Sequence, residues 1–474
     1  MKIIKAITLK GTDIELTPDM LAGLQMQLQG ELLTPDDPAY EASRSLWNAM
    51  IERRPAVVVR CLGVADVMAG VRFAREHDLL LSIKGGGHNI AGLAVADGAL
   101  MLDLSPMRGV WVDRKRRVAH AQAGCVLGDV DRETQVHGLA TVLGFISTTG
   151  IAGLTLGGGF GYLSRRWGYT TDSVLGMDVV TPDGQLVHAS ADEHADLFWG
   201  LCGGGGNFGV VTGFDYQLYP VGPEVVGGLV AWPASEAPAV LELYSSLAEQ
   251  APPELTLVAL LRPAPPAPWL PKEYHGAPIV ALLACYSGQP EEGEAVVAPI
   301  KAFGQPIGDV LVRRPYAQLQ KLLDATQPKG RRYYWKSEYL PGIKPALCDK
   351  VIEHAGRIRS PHSAVILFQL GGALNELDND HSAVGNRDAR YIFNVGAAWE
   401  QPEDDATNIA WAREAWHDLK TFSTGGTYIN FLTEDEGRER VEAAFGPALR
   451  RLAEIKRRWD PDNRFRVNRN IASD

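Results

Sequence analysis

The stretch LSIKGGGHNIAGL, residues 81–93, runs from a short hydrophobic segment through three glycines to a histidine, His88. Glycine loses more backbone entropy on folding than any other residue, so a run of it is typical of a tight turn or of a backbone that another molecule approaches closely. The stretch is therefore consistent with a plain turn, a phosphate-binding loop or a histidine presented for chemistry. The preceding segments PAVVVRC (55–61), VADVMAGVRFAREHDL (64–79) and LLLSI (79–83) predict a β–α–β unit that ends at these glycines.

The composition is that of a globular protein of two domains. A chain of 474 residues is too long for one ordinary hydrophobic core, and 46% hydrophobic with 22% charged residues are globular values. The net charge of −11 disfavours binding to nucleic acid or to an anionic membrane. We find neither an apolar run long enough to span a membrane nor the pattern of a signal peptide, so we expect a cytoplasmic protein.

The cysteines carry no metal or disulfide signature. The five of them, Cys61, Cys125, Cys202, Cys285 and Cys348, are odd in number, widely spaced and never in a CxxC pair. Neither a zinc site nor a disulfide framework is predicted from this arrangement. We expect reduced, mostly buried thiols and no bound metal.

Secondary-structure patterns change along the chain. Residues 1–50 are predicted to be helical and irregular, whereas strands and turns dominate from there to about residue 220. That part includes a hairpin over 177–190 and a short helix over 193–201. TYINFL (427–432) is predicted as a strand, and the tail from residue 436 predicts one amphipathic helix that stops at Asp460.

A proline-rich change of composition near residue 220 opens the second region. Between 222 and 415, strand-like runs such as VALLACYSG and RRYYWKSEYL alternate with helical segments such as NIAWAREAWHDLK. This alternation predicts an antiparallel sheet with helices on one face, an α+β arrangement.

Two further glycine clusters accompany KGGGHN. GIAGLTLGGGFGYLSRRWG (150–168) has GxGxxG-like spacing, but it lacks the helix and the later acidic residue of a nicotinamide-binding unit. LCGGGGNFGVVTGF (201–214) places four glycines before a strand, and no cluster has the Lys-Ser/Thr of a P-loop. Three such clusters beside strands favour one large flat ligand held by backbone, and a dinucleotide suits that demand better than a small metabolite.

These motifs, together with DLFWGLCGGGGNFGVVT, TYINF and DPDNRFRVNRNI, resemble the berberine bridge enzyme-like flavoproteins of the vanillyl-alcohol oxidase and p-cresol methylhydroxylase superfamily. The resemblance runs from about residue 40 to the end, with the motifs in the family's order. It implies an α+β fold in which residues 1–221 form an FAD-binding domain, 222–415 form a substrate-binding domain on an antiparallel sheet, and 416–474 complete the FAD-binding domain.

The resemblance also implies that His88 is bonded to the 8α-methyl carbon of FAD. Lys84 and the backbone N–H groups are candidates to offset the charge of the flavin or its pyrophosphate. Asn468 and Asn470 share one side of an extended segment and are candidate flavin contacts. The other residues expected at the cofactor are Gly85, Gly86, Gly87, Asn89, Gly92, Leu93, Gly124, Ser147, Thr148, Gly150, Gly153, Gly157, Gly158, Tyr162, Asn207, Gly209 and Val210.

Two positions qualify the resemblance. Many members of the family have a cysteine where this chain has Ile146, and they use it for a second covalent bond, so a single link through His88 is expected here. Thr149 occupies the position that controls access of oxygen to the flavin in the family. Threonine is close to valine in shape and smaller than leucine, which favours an oxidase over a dehydrogenase.

Candidate catalytic and substrate-binding residues come from strand alternation. On a strand, Tyr428 and Asn430 point the same way, and the family places such a pair near the flavin ring. In RRYYWKSEYL, Tyr334, Lys336 and Glu338 share one face. Lys336 and Glu338 are either a proton-handling pair that faces the flavin or a surface salt bridge.

Gln369 and Asn394 lie on neighbouring predicted strands and, with Tyr334, are candidate hydrogen-bonding partners of the substrate. The resulting hypothesis is an FAD-dependent oxidase that transfers a hydride from a small or medium organic substrate to flavin N5 and reduces oxygen to hydrogen peroxide. A dehydrogenase with another acceptor, and a flavin- or ligand-binding protein without turnover, remain the alternatives. The oligomeric state is not predicted.

Overall fold

The computed structural model describes residues 2–471, which form 21 strands and 14 α-helices. The strands before residue 221 are β1 (Ile4–Ile7), β2 (Asp13–Leu16), β3 (Glu31–Leu33), β4 (Val57–Arg60), β5 (Leu81–Lys84), β6 (Leu100–Asp103), β7 (Val110–Asp113), β8 (Val118–Gln122), β9 (Leu139–Ala140), β10 (Val174–Val180), β11 (Leu186–Ser190), β12 (Val210–Gln217) and β13 (Tyr219–Pro220). The later strands are β14 (Glu224–Pro233), β15 (Leu255–Pro263), β16 (Pro278–Tyr286), β17 (Gly308–Asp309), β18 (Val312–Pro315), β19 (Arg332–Leu340), β20 (Ala364–Gln369) and β21 (Tyr391–Trp399).

The helices fall into the same two groups, with two more in the tail. They are α1 (Pro18–Gln25), α2 (Tyr40–Arg44), α3 (Val64–Glu76), α4 (Leu127–Gln135), α5 (Ile151–Leu156), α6 (Ser164–Trp167), α7 (Ala195–Leu201), α8 (Ala237–Gln250), α9 (Pro290–Lys301), α10 (Tyr316–Gln320), α11 (Pro345–Ala355), α12 (Asp405–Leu419), α13 (Arg438–Phe445) and α14 (Leu449–Trp459). None of the helices within residues 2–471 has the length and apolar character needed to cross a membrane.

Two larger sheets and two two-stranded ones, β1–β2 and β9–β13, build the first part of the chain. The four-stranded sheet has the order β3-β4-β6-β5, in which β4 and β5 flank β6 in parallel and β3 is antiparallel. The predicted β–α–β unit is confirmed as β4, α3 and β5. The five-stranded antiparallel sheet has the order β11-β10-β12-β8-β7 and contains the predicted hairpin, β10–β11. All five cysteines are free, and all but Cys348 are buried.

The second part is an antiparallel sheet covered on one face. Its eight strands have the order β17-β14-β16-β15-β20-β21-β19, with β18 paired to β14. Leu257, Ala259 and Leu261 of β15 point to the helix-covered face and pack in a core with α8, α9, α11 and α12. Val258 and Leu260 point to the other face, as strand alternation requires. The α+β class is confirmed, while the domain limits at 221 and 415 stay predictions.

The C-terminal segment returns to the first part. Phe445, Leu452 and Ile455 of α13 and α14 pack in the same core as α3 and β12. The Lys456 ammonium is fully buried, 2.6 Å from the Asp460 carboxylate, and also donates to the carbonyls of Asn207 and Phe465. The hydrogen bond from Lys456 to Asn207 fastens the tail to the glycine cluster at 203–209, and Asp460 balances the charge of the buried ammonium.

Three local predictions are wrong. Residues 1–50 contain strands β1, β2 and β3 as well as helices. The tail is two helices rather than one, because Gly446 takes a positive φ of 54° and Pro447 follows it. Residues 427–432 form no strand, since Ile429–Phe431 is a single turn of 3₁₀ helix.

Replacing Asp460 with alanine is expected to lower the free energy of unfolding by about 3–5 kcal/mol, because the Lys456 ammonium stays buried without its carboxylate. Urea unfolding followed by circular dichroism measures this change. Glu454→Ala, on the exposed side of the same helix, is the control and is expected to cost less than about 1 kcal/mol. Equal losses for the two variants would contradict the role assigned to the buried pair.

Candidate functional site

A cavity lies between the glycine loops of the first part and the open face of the eight-stranded sheet. The three glycine clusters and the C-terminal segment form one wall. Side chains from β15, β16, β19, β20 and β21 form the other. Clusters far apart in the sequence are thus brought to one site, as the sequence predicts.

His88 sits at this cavity in an aromatic stack. Its ring lies 4.2 Å from Trp47 with an angle of 18° between the planes, and Trp47 lies 3.7 Å from Tyr333 on its other face. The Trp47 backbone N–H donates to the carbonyl of Gly87, and Asn48 donates to the carbonyls of Ile90 and Tyr333. The segment around Trp47 therefore holds the histidine loop against strand β19 and fixes the plane of the imidazole.

The His88 imidazole is neutral, and one of its two nitrogens has no partner among the described residues. Burial lowers its pKa to about 4, although part of the residue faces the cavity. Its Nε2 is buried and has no hydrogen-bond partner among the described residues. A buried polar atom without a partner is uncommon in folded proteins, and at the wall of a cavity it is available to a ligand.

The glycine loops approach each other too closely for side chains. A Cβ on Gly86 would lie 2.5 Å from Gly150 Cα, and a Cβ on Gly150 would lie 2.6 Å from Gly86 N. By contrast, a Cβ on Gly153 or Gly206 would meet no atom within 4 Å, and both residues line the cavity. The first two glycines therefore serve the contact between loops, while the other two leave room for a ligand beside the backbone.

The C-terminal segment closes this wall. The Asn207 side chain donates to the carbonyl of Arg469 and accepts from the N–H of Ile471. Asn468 donates to the carbonyl of Gly206 at 3.2 Å, and its Oδ1 is buried without a partner among the described residues. These amides tie the tail to the glycine cluster and leave one acceptor at the cavity.

Tyr428 and Asn430 meet at the cavity although no strand carries them. The Tyr428 hydroxyl oxygen accepts hydrogen bonds from Gly159 N–H and from the Asn430 amide, each at 2.9 Å. Asn430 fits because Gly157 has no side chain: a Cβ there would lie 2.2 Å from Asn430 Oδ1. Burial raises the pKa of the Tyr428 phenol above its ordinary value, whereas both donors favour its anion. The phenol proton takes part in neither contact.

Most of the predicted cofactor residues line the cavity. They are Gly85, Gly86, Gly87, His88, Asn89, Leu93, Gly150, Gly153, Gly157, Asn207, Gly209, Val210, Tyr428, Asn430 and Asn468. Thr149 and Ile146 also line it, as does Asn394, whose Nδ2 is buried without a partner among the described residues.

The predicted face of β19 is wrong. Strand alternation turns Trp335 to the cavity, and Tyr334, Lys336 and Glu338 to the helix side. There the Lys336 ammonium lies 2.8 Å from Glu436, and the Tyr334 hydroxyl donates to Asp435. Glu338 pairs with Arg440 at 2.7 Å. These groups are structural ion pairs outside the cavity.

The predicted orientation of Gln369 is also wrong. Gln369 follows Phe368 on β20, so its side chain points to the helix side of the sheet. Its amide donates to the carbonyl of Ala248 and accepts from Leu257 N–H. Lys84 also points away from the cavity, and its ammonium donates to the carbonyl of Ser43 and lies 3.4 Å from Asp103.

The remaining predicted residues do not line the cavity. Ser147 binds Asp324 through its N–H and hydroxyl, and Thr148 is exposed. Tyr162 packs in the core beside the cavity, and Asn470 is exposed. The glycines in this group pack on neighbouring chain segments instead of the cavity, namely Gly92 on Ile51, Gly124 on the backbone of Leu104, and Gly158 on Val384.

Aromatic and cationic lining residues are missing from the sequence prediction. Phe145, Phe160, Phe368 and Phe431 form a cluster with ring-centroid distances of 5.3 to 6.2 Å. Arg262, Arg469, His362 and Trp335 line other parts of the cavity. Strand alternation around Val258 and Ile366 contains the signal for Arg262 and Phe368, but the cavity-facing side is fixed only by the sheet's place in the fold.

Comparison with known proteins gives the family. Residues 55–190 match the FAD binding domain family, and residues 427–472 match the family described as berberine and berberine like. An FAD-linked oxidoreductase of Dictyostelium discoideum is 30% identical over 432 residues, covering 90% of each chain. (R)-6-hydroxynicotine oxidase of Paenarthrobacter nicotinovorans is 29% identical over 465 residues, covering 94% of this chain and 97% of the relative.

A solved structure agrees with these relatives. The crystal structure of 6-hydroxy-D-nicotine oxidase from Arthrobacter nicotinovorans superposes with a TM-score of 0.83 at 27% identity, covering 94% of this chain and 98% of that one. The chain belongs to the berberine bridge enzyme-like family and is an FAD-linked oxidoreductase.

The cavity fits FAD. Gly153 and Gly206 leave open space beside the backbone, and the buried Nε2 of His88 and Oδ1 of Asn468 are free to meet a ligand. The glycine loops, Asn207 and the C-terminal segment would hold the cofactor, with His88 at one edge of it.

Proposed function

We propose that the protein is an FAD-dependent oxidase whose flavin is covalently bonded to His88, and that it oxidises a small or medium organic molecule with production of hydrogen peroxide. The observation that carries the proposal is the neutral, stacked imidazole whose buried Nε2 has no partner among the described residues. A neutral imidazole has the lone pair needed to form a bond to the flavin methyl group. The relatives named as oxidases support the choice of reaction.

A single covalent link is part of the proposal. Ile146 lines the cavity, and no cysteine is among the described lining residues. The nearest thiol in sequence, Cys125, is buried, and burial raises its pKa to about 12. A thiol kept protonated and away from the cavity is a poor nucleophile, so a second bond is not expected.

When bound, FAD supplies the two-electron acceptor for a hydride from substrate carbon and passes the electrons on to oxygen. The chain's own task is to take the proton that leaves with the hydride. Among the lining residues, Tyr428 suits this role, because the Gly159 N–H and Asn430 amide stabilise its anion. With Tyr428 ionised, a hydroxyl or amine proton of the substrate would pass to its phenolate oxygen, and the low-dielectric surroundings would strengthen both hydrogen bonds.

Thr149 supports oxygen as the acceptor. It lines the cavity beside Gly150, and its short β-branched side chain leaves more space than leucine would. This space for oxygen beside Thr149 is the reason for proposing an oxidase in place of a dehydrogenase.

Acid precipitation of the purified protein is expected to leave the flavin in the pellet. His88→Ala is expected to move all of it to the supernatant, because no other side chain is proposed to bond it. Absorbance of the two fractions at the flavin band measures the distribution. His120→Ala is the matched control, since His120 pairs with Asp215 on the five-stranded sheet, away from the cavity. Free flavin released from the unaltered protein would disprove the covalent bond.

Thr149→Leu is expected to slow reoxidation of reduced flavin by oxygen by about tenfold or more, a rise of ~1.4 kcal/mol in the barrier. Reoxidation by a dye is expected to be unchanged, because the dye need not reach the same atom. Stopped-flow absorbance gives both rates. Thr148→Leu is the control, as that side chain is exposed and does not line the cavity. Slow reaction of the unaltered protein with oxygen, but not with dye, would favour the dehydrogenase.

Tyr428→Phe is expected to lower kcat/KM by about 10²–10⁴, the usual contribution of a general base. Because burial raises the pKa of Tyr428, the activity of the unaltered protein is expected to rise with pH on the alkaline side. This rise is expected to disappear in the variant, which a packing defect would not cause. Tyr162→Phe is the matched control, because it removes a buried hydroxyl that has no partner among the described residues. An unchanged profile for Tyr428→Phe would assign the base to another group.

A further inference from the structure

The charge of the cavity wall differs in sign from that of the chain. The chain carries a net charge of −11, yet the described residues that line the cavity include no aspartate and no glutamate. Its ionisable groups of basic type are Arg262, Arg469, His88 and His362. Arg469 belongs to the C-terminal wall, and His88 to the cofactor loop. Arg262 and His362 lie on the sheet wall, where the substrate would rest.

The Arg262 guanidinium has no carboxylate partner among the described residues. Its Nε and Nη2 donate to the carbonyls of Pro263 and Pro361, and its Nη1 makes no hydrogen bond to the described residues. Burial, and then the nearby charge of Arg331, lower its pKa to about 10, so it stays charged at neutral pH. Backbone carbonyls thus accept hydrogen bonds from Nε and Nη2 of the guanidinium, and Nη1 is left to bind a ligand.

The neighbouring groups do not neutralise this charge. Glu400 lies 3.2 Å from His362 and 3.7 Å from Arg331, and it is exposed and outside the cavity lining. The Glu400 carboxylate thus serves Arg331 and His362, and no carboxylate among the described residues balances the positive charge of Arg262. An uncompensated, half-buried cation beside a cavity attracts an anion.

The sheet wall changes from cationic to aromatic along its strands. Leu261 pairs with Val365 and Val258 with Phe368, so Arg262 and Phe368 lie at opposite ends of the wall. Arg262 and Val258 are four residues apart on β15, which corresponds to ~13 Å at the usual rise of a strand. Phe145, Phe160 and Phe431 surround Phe368 at the aromatic end. The wall therefore fits a molecule with one anionic end and an apolar body.

We propose that Arg262, with His362 beside it, is a carboxylate-binding subsite, and that the substrate is an organic acid with an aromatic or other apolar body that lies along the sheet towards Phe368. An arginine fork binds carboxylate through two parallel hydrogen bonds, and the half-buried position strengthens them. A cationic substrate finds no carboxylate on this wall. This assignment rests on the proposed function only in taking the cavity as the place where substrate binds.

The test compares ligands that share one apolar body and differ in the polar end group, which is anionic, neutral or cationic. Phenylbutyrate, phenylbutyramide and phenylbutylamine are titrated into the purified holoenzyme, and binding is followed by calorimetry and by the change in flavin absorbance. The acid is expected to bind about 10- to 100-fold more tightly than the amide, as one hydrogen-bonded ion pair provides. Arg262→Met is expected to abolish this difference, and Arg262→Lys to retain part of it. Arg132→Met, on the exposed surface of α4, is the control.

Several results would overturn the subsite. They are equal affinity for acid and amide, tighter binding of the amine, or an Arg262→Met variant that loses FAD instead of affinity for the acid. The acid–amide comparison on the unaltered protein decides the matter even if the variant does not fold. Binding needs no turnover, so acid binding that depends on Arg262 without oxidation of any acid would count against the proposed function alone. Oxidation with an unchanged KM in Arg262→Met would count against the subsite alone.

Discussion

The contact between two glycine backbones is the constraint on which the site depends. Gly86 and Gly150 approach so closely that a Cβ on either would lie within about 2.7 Å of the other's backbone. This contact sets the KGGGHN loop beside the loop that carries Ile146 and Thr149. Once the loops are joined, His88, Thr149 and the open backbone at Gly153 face a common space. The C-terminal segment, held by the buried Lys456–Asp460 pair, closes that space from the side of the third glycine cluster.

The parts of the fold predicted from sequence are those with a local cause. Runs of β-branched residues predict β4 and β5, the helical period predicts α3, and a turn at Asp183-Gly184 predicts the hairpin of β10 and β11. The glycine clusters predict the cofactor site because glycine has few other reasons to recur beside strands. His88, Tyr428 and Asn430, predicted from these clusters or from the family resemblance, line the cavity, as does Asn394, predicted from its place on a strand.

The errors about which side of the large sheet faces the cavity have a common cause, which is that a sheet buried on both faces gives no polarity signal. Polar residues mark the exposed side of an ordinary strand, but on β19 the polar set Lys336 and Glu338 is buried in ion pairs with Glu436 and Arg440. The cavity side carries Trp335 instead. Tyr428 and Asn430 come together in a 3₁₀ turn and not by strand alternation. Their predicted position at the cavity is therefore right, although the strand from which it was predicted does not form. Trp47 and Arg262 take their roles from segments distant in sequence.

The aromatic stack of His88, Trp47 and Tyr333 joins three parts of the chain. His88 belongs to the first glycine loop, Trp47 to the segment after α2, and Tyr333 to the sheet of the second part. None of these rings is held in its plane by its own segment, since each is sandwiched or backed by another. The geometry of the imidazole is therefore a property of the assembled molecule. In a chain whose sheet has not yet packed against the first part, His88 is present but its ring is not oriented. The cofactor pocket therefore forms only when folding is complete.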